Sequence, residues 1–63
     1  MNVPQVKKHL PSDLEAQRGS RGHITIKQRA ARPGETKLQF EMDKSRFNNA
    51  AEMALYAQSL VPR

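Results

Sequence analysis

Lys27, Arg29, Arg32 and Lys37 bring four cations into an eleven-residue stretch near the middle of the chain. Their chemistry is that of phosphate and base-edge recognition. A guanidinium offers a planar fork that pairs bidentately with phosphate or with guanine, whereas an ammonium meets phosphate as a point charge. Thr25 and Gln39 stand among them with hydrogen-bonding groups that can read base edges. Lys7, Lys8 and Arg21 add positive charge upstream. Other chemistries are poorly supplied. His9 and His23 are 14 residues apart and there is no cysteine, so nothing resembles zinc-ligand spacing and no metal or other cofactor is expected. Ser, His and Asp all occur, but a catalytic triad needs a rigid pocket that 63 residues can hardly build. No enzymatic activity and no small-molecule substrate are therefore expected. Gly19-Ser20-Arg21-Gly22 lacks the Lys-Ser/Thr ending of a phosphate loop and a strand before it, and reads as a flexible basic joint.

The four cations fall in a segment with period-two alternation. In His23-Ile24-Thr25-Ile26-Lys27-Gln28-Arg29 the apolar residues hold even positions and the cations odd ones, and Thr36–Met42 keeps the same parity. Ala31-Arg32-Pro33-Gly34-Glu35 lies between the two runs, with Pro-Gly as a turn signal. This predicts a β-hairpin whose register keeps Ile24, Ile26, Leu38, Phe40 and Met42 on one face. Ile26 then sits opposite Phe40, and Ile24 opposite Met42. A one-residue slip would bury the cations. The other face carries Lys27, Arg29 and Lys37, with Arg32 at the tip, Thr25 and Gln39 beside them, and Glu41 as its one acid. It holds no aromatic residue, so a single-strand stacking platform is not expected and a duplex is the better ligand.

Downstream, Asn49-Ala50-Ala51-Glu52 has capping-box form. Ala50, Met53, Ala57 and Leu60 recur at helical spacing, so an α-helix is predicted over 46–60, packed across the apolar face. Upstream, Asn2 to Leu10 can form a helical turn with Pro4 near its start. Ser12-Asp13-Leu14-Glu15 also has capping-box form, with Gly19 as a stop, which predicts a short helix over 13–18. Helices this short need tertiary support, so residues 1–22 are expected to be either a short helix or a flexible basic arm. The predicted core comprises Val3, Val6, Leu10, Leu14, Ile24, Ile26, Leu38, Phe40, Met42, Phe47, Met53, Leu55, Tyr56 and Leu60, about what one small domain can bury.

The formal net charge of +5 is unevenly placed. Residues 1–37 hold eight Lys/Arg against Asp13, Glu15 and Glu35, while in residues 38–63 Lys44, Arg46 and Arg63 balance Glu41, Asp43 and Glu52. Such asymmetry favours nucleic acid or an acidic partner. The absence of cysteine points to an intracellular, cytoplasmic setting. No apolar run nears the roughly 18 residues of a membrane span, and there is no signal-peptide stretch, so no membrane partner is expected. Leu60-Val61-Pro62-Arg63 matches what thrombin leaves of an expression-tag linker. The organisation read from the sequence is thus an N-terminal arm or short helix (1–22), a hairpin-plus-helix domain (23–59) and a tag remnant (60–63).

The order of these features resembles the small arm-site DNA-binding domain at the N-terminus of phage-type tyrosine recombinases. Lys7-Lys8-His9-Leu10-Pro11-Ser12-Asp13-Leu14 is similar to that family's basic Leu-Pro lead-in. The hairpin and the Ala-Glu helix are similar to the small sheet and single helix of the same family. The family's sheet has three strands, of which two are legible here. The resemblance implies a sheet that enters the major groove, with Lys27, Arg29 and Lys37 facing the bases.

The expectation is therefore an α+β fold: a small β-hairpin sheet, with room for a third strand, and one C-terminal helix packed on it. The expected function is binding of double-stranded DNA as a recombination, phage or plasmid accessory domain. The hairpin's outer face (Thr25, Lys27, Arg29, Arg32, Lys37, Gln39) would lie in the groove, with Lys7, Lys8 and Arg21 on phosphates. The competing expectation is a protein-interaction module: an inhibitor, adaptor or homodimerisation unit that uses the hairpin edge or the basic face.

Overall fold

The computed structural model describes residues 2–62. Helix α1 (Val3–Lys8) leads into strand β1 (Leu14–Arg18), then β2 (His23–Arg29) and β3 (Thr36–Asp43). A single 3₁₀ turn (Lys44–Arg46) connects to helix α2 (Ala50–Leu60). The strands form one antiparallel sheet in the order β1-β2-β3, so the arrangement is α+β with the helices on one face of the sheet.

The hairpin register is set by burial. Ile26 pairs with Phe40 and Ile24 with Met42, as the alternation predicts. The inward residues Ile24, Ile26 and Met42 meet Leu14 and Ala16 from β1, Val6 from α1, and Met53, Ala57 and Val61 from the α2 end. Ile24, Ile26, Met53 and Val6 are at most 1% exposed and form the centre of this cluster. The loop between β2 and β3 closes with the Glu35 N–H on the Arg32 carbonyl (3.2 Å) and with Gly34 at φ 82°. Pro at the second position and a positive φ at the third make this the type II pattern. Ser20–His23 closes in the same way, with the His23 N–H on the Ser20 carbonyl (2.8 Å) and Gly22 third in the turn at φ 78°.

The helix caps are local, and that of α2 was legible in the sequence. The Asn49 side chain accepts from the Glu52 N–H at 2.8 Å and starts α2. Asn2 and Gln5 form a reciprocal capping box on α1 (2.9 and 3.0 Å), with Pro4 inside the first turn. Of the two alternatives for the N-terminal segment, the chain takes the short helix, and that helix is structural because Val6 is wholly buried.

Three expectations are corrected. Residues 14–18 are a strand, not a helix. Leu14-Glu15-Ala16-Gln17-Arg18 alternates inward and outward, and pairing with β2 along its whole length satisfies a backbone that one and a half helical turns could not. A strand therefore does precede Gly19-Ser20-Arg21-Gly22, and that segment is a tight turn with no boundary at residue 22. Leu55, Tyr56 and Leu60, read as core, are 68%, 50% and 45% exposed. Helix α2 instead turns inward Met53, Ala54 and Ala57, whose small alanine side chains bring its backbone close to its neighbours, and Val61 is buried just beyond it. Val61 lies in the segment read as a tag remnant and is nonetheless part of the core; Arg63 of that segment is outside the described residues.

Candidate nucleic-acid interface

Because both helices cover the inner face, the odd-numbered face of the sheet is the uncovered one. Across it run two rows: Glu15, Lys27 and Gln39, and then Gln17, Thr25 and Glu41. Arg29 continues β2 opposite Thr36, where an irregularity after Gln28 leaves Lys37 as an extra residue on β3. Such a bulge increases the local twist and re-aims the side chains next to it. Arg29 and Lys37 are exposed, and Arg32 projects from the tip of the hairpin turn, its side chain 83% exposed.

The hairpin end of this face is concave. A cleft of about 270 Å³ is lined by Lys27, Arg29 and Arg32 together with Glu15, Gln17 and Glu35. Two of its cations stand beside acids: Arg29 Nε is 3.8 Å from Glu15 Oε2, and an Arg32 Nη is 3.9 Å from Glu35 Oε1. Pairs this long and this exposed hold their partners loosely and yield readily to a better anion. Counting Lys37, the hairpin end carries four cations against two acids, a local excess of two positive charges.

The other end of the face is built differently. Thr25 is only 7% exposed, because the β1–β2 turn folds onto it. A Cβ at Gly19 would lie 2.8 Å from Thr25 Oγ1 and 3.3 Å from Glu41 Oε1, so only glycine fits there without a shift. The Ser20 hydroxyl donates to the Glu41 carboxylate at 3.3 Å and holds the turn down. Thr25 is thus covered and cannot reach a base edge as expected from parity alone.

The predicted binding residues therefore separate. Lys27, Arg29, Arg32, Lys37 and Gln39 share the hairpin end. Arg21 is exposed in the turn at the opposite end of β2, roughly 20 Å away along a seven-residue strand. Lys7 and Lys8 are exposed on α1, in the layer on the opposite side of the sheet. Glu15 is the residue sequence reasoning missed: a helix over 13–18 hid its place on this face, whereas the odd parity of Glu15 and Gln17 within β1 reveals it.

Asp43 closes the far end of β3. Its Oδ1 accepts from the Ser45 N–H (2.9 Å) and the Ser45 hydroxyl (2.8 Å), and these bonds, with smaller help from His23 and Arg46, hold its carboxyl below the ordinary value of 3.8. It caps the 3₁₀ turn and takes no part in the cationic surface. Among the described residues no cluster of three His, Asp or Glu is placed to hold a metal ion, and no helix is long and apolar enough to cross a membrane. No family model, no curated protein and no solved structure matches the chain.

Proposed function

We propose that the chain is a double-stranded DNA-binding domain that presents the hairpin end of its uncovered sheet face to the major groove. The observation that carries this reading is a helix-free face with Lys27, Arg29 and Arg32 lining one concave end and Lys37 exposed next in the chain to Thr36 of that lining. A β-ribbon is narrow enough for a groove about 12 Å wide. Arg29 and Arg32 can exchange their loose carboxylate partners for phosphate or guanine. Gln39, exposed beside Lys27, supplies an amide for a base edge. The third strand is in keeping with the three-stranded sheet of the arm-site domains the sequence resembles, and a recombination, phage or plasmid accessory role is part of this proposal. Lys7 and Lys8 lie on the far layer and contribute no contact to a duplex seated on this face.

Fluorescence anisotropy with a labelled duplex across a salt series tests the proposal. Three to four cations on phosphates give a log–log slope of roughly −3, at about −0.9 per phosphate. Arg29→Glu should weaken binding with an unchanged circular dichroism spectrum. Glu15→Gln should strengthen it, because it frees Arg29 from a competing acid. A flat salt response, or equal binding by Arg29→Glu, sinks the reading.

A further inference from the structure

We propose that two copies of this chain associate about a two-fold axis by pairing β3 with β3 in antiparallel orientation, centred on Gln39. The proposal stands apart from the nucleic-acid reading. β3 is the longest strand and an outer one, and among the described residues its one extensive neighbour is β2, whereas the opposite outer strand, β1, is flanked by α1. The Lys44 N–H donates to the Gly22 carbonyl at 3.0 Å in step with the β2–β3 ladder. By the alternation of an antiparallel ladder, the even residues of β3 therefore turn their backbone groups toward β2, and Gln39 and Glu41 turn theirs to the open edge.

An open edge usually carries charge that repels a second strand. Here the charges favour one. Lys37-Leu38-Gln39-Phe40-Glu41 is self-complementary when reversed. With Gln39 opposite the partner's Gln39, Lys37 faces the partner's Glu41 and Leu38 faces the partner's Phe40, each twice by symmetry. The apolar pairs fall on the helix side and the ionic pairs on the outer face. Moving the centre to Leu38 sets Lys37 against the partner's Gln39 and leaves no opposite-charge pair within Thr36–Asp43, and moving it to Glu41 sets Glu41 against itself. Moving it to Phe40 sets Lys37 against the partner's Asp43 and Glu41 against the partner's Gln39, a register that the double variant below distinguishes from the Gln39-centred one. A one-residue slip between the strands exchanges the two faces.

The helix side of the same edge supplies apolar surface. A groove of about 650 Å³ runs beside β3, with Phe40, Phe47, Tyr56 and Leu60 among its lining. Tyr56 and Leu60 are 50% and 45% exposed and belong to no core within one copy. Two-fold pairing brings both grooves to the junction above the Leu38–Phe40 contacts and covers surface that a chain of 63 residues leaves uncovered alone.

The test is sedimentation velocity without nucleic acid, over a rising protein concentration. The expected result is a concentration-dependent shift from monomer to dimer. Lys37→Glu and Glu41→Lys should each raise the dissociation constant about tenfold or more, because each turns two attractive cross-strand pairs into repulsive ones. The double variant Lys37→Glu/Glu41→Lys restores both pairs in this register and should recover the dimer, whereas in the Phe40-centred register it would set the new carboxylate at position 37 against Asp43 and fail. Circular dichroism of each variant checks that the monomer remains folded. A monomer at every concentration overturns the proposal. So does a dimer indifferent to the single changes, or one that the double change does not restore.

Discussion

At the scale of single residues, the uncovered face owes its shape to Gly19 more than to any cation. Its missing side chain lets the β1–β2 turn lie on Thr25 and leaves the hairpin end as the open part of the surface. Gly19→Ala should destabilise the domain by about 1–3 kcal/mol, the usual cost of overpacking. Adding Thr25→Ala removes the hydroxyl that the new methyl meets, so the double variant should lose less than the sum of the two single ones. Thermal or denaturant unfolding of all three decides this, and strict additivity would contradict the contact. Gly34→Ala meets open space and is penalised only for its positive φ, by roughly 1–2 kcal/mol. Asp43 gives a pH signature. Its carboxyl is lowered in the fold by the Ser45 bonds, so it stabilises the protein above the ordinary carboxylate value of 3.8 and loses that effect as pH falls through the lowered one. Asn also caps but does not titrate. Wild type and Asp43→Asn should therefore differ in melting temperature above the carboxylate range and converge in strong acid.

At the scale of elements, β1 and α1 decide whether there is a domain at all. The alternation Leu14, Ala16 inward and Glu15, Gln17 outward was present in the chain, but Ser12 to Glu15 also satisfied the capping-box pattern. Local signals could not choose between them. A partner strand did, because β2 offers backbone hydrogen bonds along five residue pairs and a buried place for both apolar side chains. Deleting residues 1–11 should for that reason unfold the protein instead of merely trimming a basic arm. Val6 is wholly buried in the cluster that also holds Leu14 and Met53, and its loss opens that cluster. Val6→Ala, a milder cut into the same site, should lower stability by about 1–3 kcal/mol, since its cost is the transfer of two methyl groups plus the cavity they leave. Retention of hairpin NMR shifts after the deletion would show that α1 is dispensable.

At the scale of the whole molecule, the sheet sorts charge between two sides. Eight of the cations precede residue 38, yet they do not form one patch, because α1 carries Lys7 and Lys8 to the helix layer while the hairpin turn carries Arg32 to the other side. Affinity for a duplex should obey this partition. Arg29→Ala with Arg32→Ala should reduce the salt slope by about two units, one per lost phosphate contact, whereas Lys7→Ala with Lys8→Ala should leave the slope unchanged. Anisotropy titrations of the two double variants, side by side, separate a localised interface from diffuse attraction to net charge. An equal loss in both would mean the surface acts only through its total charge.

The hairpin, its register, its Pro-Gly turn and the Asn49 start of α2 were all legible from residue order. Each depends on neighbours a few positions apart or on a parity that burial enforces. Pairing Ile26 with Phe40 needed no knowledge of the rest of the molecule, since a one-residue slip leaves cations inside, and the bulge at Lys37 takes up the step between that register and the turn. Three things were decided only when the elements met. Residues 14–18 became a strand because β2 had an open edge to fill. Ala54, Ala57 and Val61 displaced Leu55, Tyr56 and Leu60 from the core because a helix that rests on small residues approaches its neighbours more closely than one that rests on large ones. The cations that looked like one group were divided because a sheet has two sides, and sequence distance does not tell which side a separate helix will cover.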